Sequence, residues 1–295
     1  MATLLQPMIM AGDEFALPDD FPSNRLDPDP ENSIFNAVGA LEINSPSGLF
    51  TGSAVALSPE WILTAAHNVD INANGLADPG IAIQFHLPGI GSVVADAIHV
   101  FADFTGFASP AINDDLALLH LSFLLPTNLN FPTGIAGVSI GDELTLVGFG
   151  RSGFGSFGFT SDAGLTDRRI GYNLIDAFES DDEGSGLNEV FVYDFDSPSS
   201  PDSLGNDRES MIGPGDSGGA AFVAGEGGFA LAGINTFTDG IGGRFGDLGG
   251  GVLVEPYLPW IRETTDLYPI PEPTPILLLF LLSCCVILRR CRKIW

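Results

Sequence analysis

Positive charge is scarce in this chain. It carries 11 Lys and Arg against 38 Asp and Glu, a formal net charge of −27. A surface of that sign repels phosphate, which excludes nucleic acid as a partner. Cysteine is nearly missing as well: Cys284, Cys285 and Cys291 all lie at the C-terminal end. No disulfide can therefore brace the preceding residues, although an oxidising compartment does not require one. Histidine is limited to His67, His86, His99 and His120, and no grouping has the spacing of a metal centre. Asp194–Ser203 and Glu179–Gly184 are acidic enough to suggest a structural calcium ion, but their spacing fits no regular calcium loop. The first ten residues lack a basic flank and are followed by Asp13-Glu14, so no ordinary leader is legible. Either the true reading frame starts upstream or the leader is atypical.

Glycine (37) and proline (21) are plentiful, and long helical periodicity does not occur. Short β-prone runs recur between Gly, Pro, Asn and Asp: 35–43, 52–57, 81–86, 92–100, 116–124, 143–149, 189–195, 219–223, 229–236 and 251–254. This pattern predicts an all-β fold of many short strands. Residues 18–32, rich in Pro, Asp and Asn, read as an exposed arm.

The run Gly213-Pro214-Gly215-Asp216-Ser217-Gly218-Gly219-Ala220 places a serine among residues that permit tight turns. Such a turn can expose a nucleophile and aim backbone N–H groups at one point; it can equally be a plain glycine turn. A serine nucleophile needs a base, and all four histidines precede Ser217. That excludes the nucleophile-elbow order of α/β-hydrolases, in which the histidine comes last. His67 follows the apolar run Trp61-Ile62-Leu63-Thr64-Ala65-Ala66. Asp115 opens the apolar run Leu116-Ala117-Leu118-Leu119. A half-buried carboxylate there could orient the imidazole.

Leu63-Thr64-Ala65-Ala66-His67, Asp115-Leu116-Ala117-Leu118-Leu119 and Gly215-Asp216-Ser217-Gly218-Gly219 resemble, in order, the three signature blocks of trypsin-like (chymotrypsin-fold) serine proteases. The resemblance spans roughly residues 26–265. It implies two antiparallel Greek-key six-stranded barrels, joined near 126–133, and a short C-terminal helix beginning at Tyr257-Leu258-Pro259-Trp260-Ile261. By this match His67 is the base, Asp115 the orienting acid and Ser217 the nucleophile, and the N–H groups of Gly215 and Ser217 form the oxyanion hole. Asp114 reads as a solvated loop acid, and His86, His99 and His120 as strand or loop residues. Counting back from Ser217 puts Met211 at the floor of the primary pocket, with Thr236, Phe237 and Thr238 along the substrate-pairing strand. Cleavage after uncharged residues is expected. Asn68 stands where animal members of the family have a disulfide cysteine, which points to a bacterial member. Residues 1–25 form an N-terminal arm, a propeptide or remnant leader. Cleavage after Arg25 could trim it, and in trypsin a freed ammonium pairs with the acid equivalent to Asp216. The usual Ile-Val-Gly-Gly start does not follow Arg25. The implied protein is a monomeric serine endopeptidase of protein or peptide substrates that needs no cofactor. The alternative is a catalytically silent module of the same fold serving adhesion at a surface.

A linker (266–270) leads to Pro271-Glu272-Pro273, a 13-residue apolar run from Ile276 to Leu288, and the cluster Arg289-Arg290-Cys291-Arg292-Lys293. The run is short against the roughly 20 residues of an ordinary spanning helix. Residues 271–295 resemble a bacterial PEP-CTERM sorting signal, with a membrane-inserted tail helix before processing. This implies export to the cell envelope or surface and an exosortase-like partner; a plain C-terminal anchor is the alternative.

Overall fold

The computed structural model describes residues 9–106, 113–225, 228–240 and 242–267. The sorting motif Pro271, Glu272, Pro273 and the tail helix lie outside them. Among the described residues no helix is long and apolar enough to cross a membrane.

Six strands form a closed barrel: β1 (Val38–Ser45), β2 (Gly48–Ala56), β3 (Trp61–Thr64), β4 (Ala82–Leu87), β5 (Gly91–Val100) and β6 (Ala117–Leu121), in the order β1-β2-β3-β6-β5-β4. The residues alternate along each strand because successive side chains point to opposite faces. Leu41, Ile43, Ala54, Ala56, Ile83, Phe85, Leu119 and Leu121 fill the barrel interior. Their neighbours Ala40, Val55, Leu63 and Leu118 face outward and join Phe149, Phe222, Ile234, Val252 and Ile261 in a second apolar layer. That layer glues the barrel to the rest of the chain.

The second half contains β7 (Glu143–Gly148), a small hairpin of β8 (Gly153–Phe154) and β9 (Gly158–Phe159), β10 (Arg169–Leu174), β11 (Ala177–Ser180), β12 (Asn188–Asp194), β13 (Ala220–Gly225), β14 (Gly228–Asp239) and β15 (Leu248–Leu253). Here the expected second six-stranded barrel is replaced by a seven-stranded sheet, β10-β7-β13-β14-β15-β12-β11. The outermost strands, β10 and β11, are consecutive in the chain, with Ile175 and Asp176 alone between them. The sheet must therefore roll until its margins meet. The seam is made by the chain itself and by the Ile175 and Asp176 N–H groups, which donate to Asp142 and Val192 carbonyls at 3.1 and 2.9 Å. The predicted helix is present as α1 (Leu258–Thr265) and buries Ile261.

Residues 18–32 are largely exposed, as expected, but the segment is anchored through buried Asp20, Pro22, Arg25 and Asp27. Arg25 is buried against Asp20 at 2.6 Å and also donates to the carbonyls of Asp207 and Glu209. Arg168, also buried, pairs with Asp27 at 2.9 Å. Ahead of them, Ile9, Met10 and Ala11 are fully buried in the second half. Buried charge is tolerated when it is paired and hydrogen-bonded, and these pairs stitch the N-terminal segment to the sheet.

Candidate active site

Strand register brings the first two candidates together. β3 and β6 pair antiparallel with Thr64 opposite Ala117, so the chain just after one strand meets the chain just before the other. His67, on a short 3-10 turn, and Asp115 lie at that end. His67 Nδ1 is 2.6 Å from Asp115 Oδ2, and the His67 backbone N–H donates to Asp115 Oδ1 at 2.8 Å. The carboxylate is completely buried, whereas the imidazole is 19% exposed. Both carboxylate oxygens are thus fixed by one residue, which locks the ring's orientation and turns Nε2 away from Asp115.

Ser217 arrives from the other half, in the loop before β13. It shares a cavity of about 300 Å³ with His67, lined also by Ile43, Phe50, Asn68 and Gly215. The loop is held from several sides. The Ser217 carbonyl accepts from the Ser53 N–H at 2.8 Å and from Asn68 Nδ2 at 2.9 Å. Ser53 Oγ donates to the Gly215 carbonyl at 2.9 Å and accepts from the Phe149 N–H at 3.0 Å. Peptide planarity then determines where the N–H groups point. The Pro214 carbonyl is turned onto the Arg151 N–H and the Asp216 carbonyl onto the Gly219 N–H, each at 2.8 Å. The N–H groups of Gly215 and Ser217, on the opposite sides of those peptides, point the other way. Gly215 needs its missing Cβ, because its φ is +101°.

Asp216 is fully buried and accepts from the Gly150 and Gly213 N–H groups at 2.6 and 2.8 Å. Side chains at Gly148 and Gly150 would overlap its carboxylate. Burial pushes its pKa up to about 7, against the pull of those two donors and of Arg169.

The specificity residues fall less neatly. Met211 is wholly buried among Ile9, Met10 and Tyr193, and its carbonyl accepts from the Met10 N–H at 2.9 Å. It is not among the residues lining the cavity of Ser217. Thr236, Phe237 and Thr238 follow one another on β14, buried, half-buried and exposed in turn, at an irregularity of its pairing with β15. His86, His99 and His120 lie on β4, β5 and β6 as expected.

Asp114 departs from its expected role. It is buried, with φ +63°. Its N–H donates to the Tyr257 hydroxyl at 3.2 Å, and that hydroxyl donates to Asp114 Oδ1 at 3.0 Å. Burial pushes Asp114 up to about 7. Ser53 and Asn68, which bind the Ser217 loop, were not candidates in the sequence. One signal was present: Gly52, inside a strand, marks a close approach, and a side chain there would collide with the Asn68 amide.

This two-sided β architecture, with its Ser217 loop set against a His–Asp pair, is that of the chymotrypsin-like proteins. A solved structure described as "HL collagenase" shares the fold at a TM-score of 0.57 with 19% identity, covering 80% of this chain and 95% of that one. The family model named Trypsin matches residues 28–261, so the chain belongs to the trypsin family of serine proteases. No curated protein sequence matches it.

Proposed function

We propose that this chain is an exported serine endopeptidase acting through His67, Asp115 and Ser217. The observation that carries it is the His67–Asp115 pair at 2.6 Å facing Ser217 across one cavity. Ser217 Oγ attacks the substrate carbonyl, and its proton passes to His67 Nε2. Asp115 stabilises the imidazolium. The N–H groups of Gly215 and Ser217 receive the oxyanion. Collapse gives an acyl-enzyme, with the proton on His67 delivered to the leaving amine; water then repeats the sequence in reverse. Loss of one oxyanion donor would cost about 3 kcal/mol of barrier. The apolar lining from Ile43, Phe50 and Ile71 and the apolar Phe237 favour substrates uncharged near the scissile bond. A fluorophosphonate probe should label the protein at Ser217 and fail on Ser217→Ala; an unlabelled wild type would favour the silent surface module instead.

Two further parts of this reading concern maturation. The apolar start looked for after Arg25 has a counterpart at Ile9-Met10-Ala11-Gly12, buried beside Met211 and accepting from Ser152 Oγ at the Ile9 carbonyl. Cleavage before Ile9 would free an ammonium in the same half of the molecule as Asp216. Scission after Arg25 would first have to open a buried ion pair. N-terminal sequencing of active enzyme is expected to begin at Ile9; a start at Leu26 would refute this. The 271–295 segment acts as the sorting tail, recognised by an exosortase-like enzyme at the envelope, and the released body works as a monomer. The support is the succession of Pro271-Glu272-Pro273, apolar run and basic end.

A further inference from the structure

The hairpin of β11 and β12 projects an acidic loop toward the turn that carries Asp115. Carboxylate oxygens of Asp114, Asp182 and Glu183 lie within 4.8 Å of one another, as do those of Asp181, Glu183 and Glu189. Glu183 belongs to both sets. Asp182 and Glu183 are exposed, but Asp114 and Glu189 are buried, at 3% and 7% exposure. Among the described residues, no Lys, Arg or His forms an ion pair with any of the five.

Glu189 provides an observation of a different kind. It is the extra residue where the β11–β12 register slips, since Glu179 pairs with Val190 and Ser180 with Asn188. Such a bulge re-aims a side chain. Its Oε2 is sealed from solvent and accepts no hydrogen bond. The neighbouring Tyr257 hydroxyl has one proton, which Asp114 and the other side of the Glu189 carboxylate must share. A buried carboxylate oxygen with neither donor nor counter-charge is costly. Several carboxylates converging without nitrogen or sulfur ligands suit a hard cation with oxygen ligands.

We propose that Asp114, Asp181, Asp182, Glu183 and Glu189 bind a divalent cation of the calcium type, which clamps the Asn113–Asp115 turn of the first barrel to the 181–189 loop of the second half. The ion neutralises the buried carboxylates and ties the residue next to Asp115 to the opposite half of the molecule. It takes no part in peptide cleavage. Its role is positional and structural.

The test is binding and melting of the full chain carrying Ser217→Ala, so that neither self-digestion nor any failure of the protease assignment enters the result. After chelation, Ca²⁺ should raise the melting temperature beyond the effect of KCl at equal ionic strength. Tb³⁺ should bind with luminescence sensitised by Tyr257, and Ca²⁺ should displace it. Glu183→Gln and Glu189→Gln should each weaken binding by about 10–100-fold, the scale seen when a metal site's supporting groups are altered. Asp196→Asn, an acid outside the cluster, should bind as the parent. The proposal is overturned if KCl reproduces the rise, or if Glu183→Gln binds Ca²⁺ as the parent does. The exposed Glu183 variant decides the matter even where Glu189→Gln does not fold.

Discussion

Asp115 and Asp114 are adjacent in sequence, equally removed from solvent, and opposite in their surroundings. Around Asp115 and the Ser217 loop, donors match acceptors: each Asp115 oxygen faces an N–H-bearing group of His67, and the Ser217 carbonyl takes two donors. Around Asp114, carboxylates outnumber donors, with one tyrosine hydroxyl serving a corner that also holds Glu189. A satisfied network fixes geometry by itself and suits a reaction that needs preorganised groups. A network short of positive charge signals a missing ligand. One residue of chain separates the two situations.

The contrast can be broken hardest at the catalytic side. Ser217→Ala or His67→Ala should lower kcat on the order of 10⁶-fold, and Asp115→Asn about 10⁴-fold by favouring the wrong tautomer. Peptide turnover would show this, with unchanged melting confirming that the fold survives. Next comes Asn68→Ala. It removes the amide that bonds Thr64 Oγ1 and the Ser217 carbonyl, and should cost about 1–3 kcal/mol in denaturant unfolding, with a fall in kcat larger than any rise in KM. The smallest effect is on pH dependence. Burial pushes Asp216 and Glu209 up to about 7. A carboxyl whose pKa is raised on folding contributes stability in its protonated state, and that contribution is lost as pH rises. Melting temperature in the presence of chelator should therefore decline from about pH 5 through pH 7; a steady rise over that range would contradict the burial argument.

Much of the geometry was legible beforehand because the candidate blocks are local. His67 after a buried strand, Asp115 before one and Ser217 in a glycine turn each carry their context within a few residues. Strand positions followed from β-prone runs set between Gly, Pro, Asn and Asp, and α1 from Tyr257-Leu258-Pro259-Trp260-Ile261. What escaped depends on distant partners. Asp114 looked like a loop acid until Tyr257, far along the chain, covered it. The anchoring of the 18–32 segment escaped because its charges were counted without Arg168 and the carbonyls that neutralise or receive them. The seven-stranded sheet was hidden because its seam is a two-residue link, which no composition or periodicity reveals. Met211 was placed by counting along the chain, and counting says nothing about which way a side chain turns into a core.

Asn68, which by resemblance stands at a disulfide-cysteine position of animal trypsins, packs against Gly52. In this chain an amide spans the gap, reaching the Ser217 carbonyl directly. The tie between the halves is thus indifferent to redox conditions. Thiol reductants should therefore leave the melting temperature of the cysteine-free body where it was.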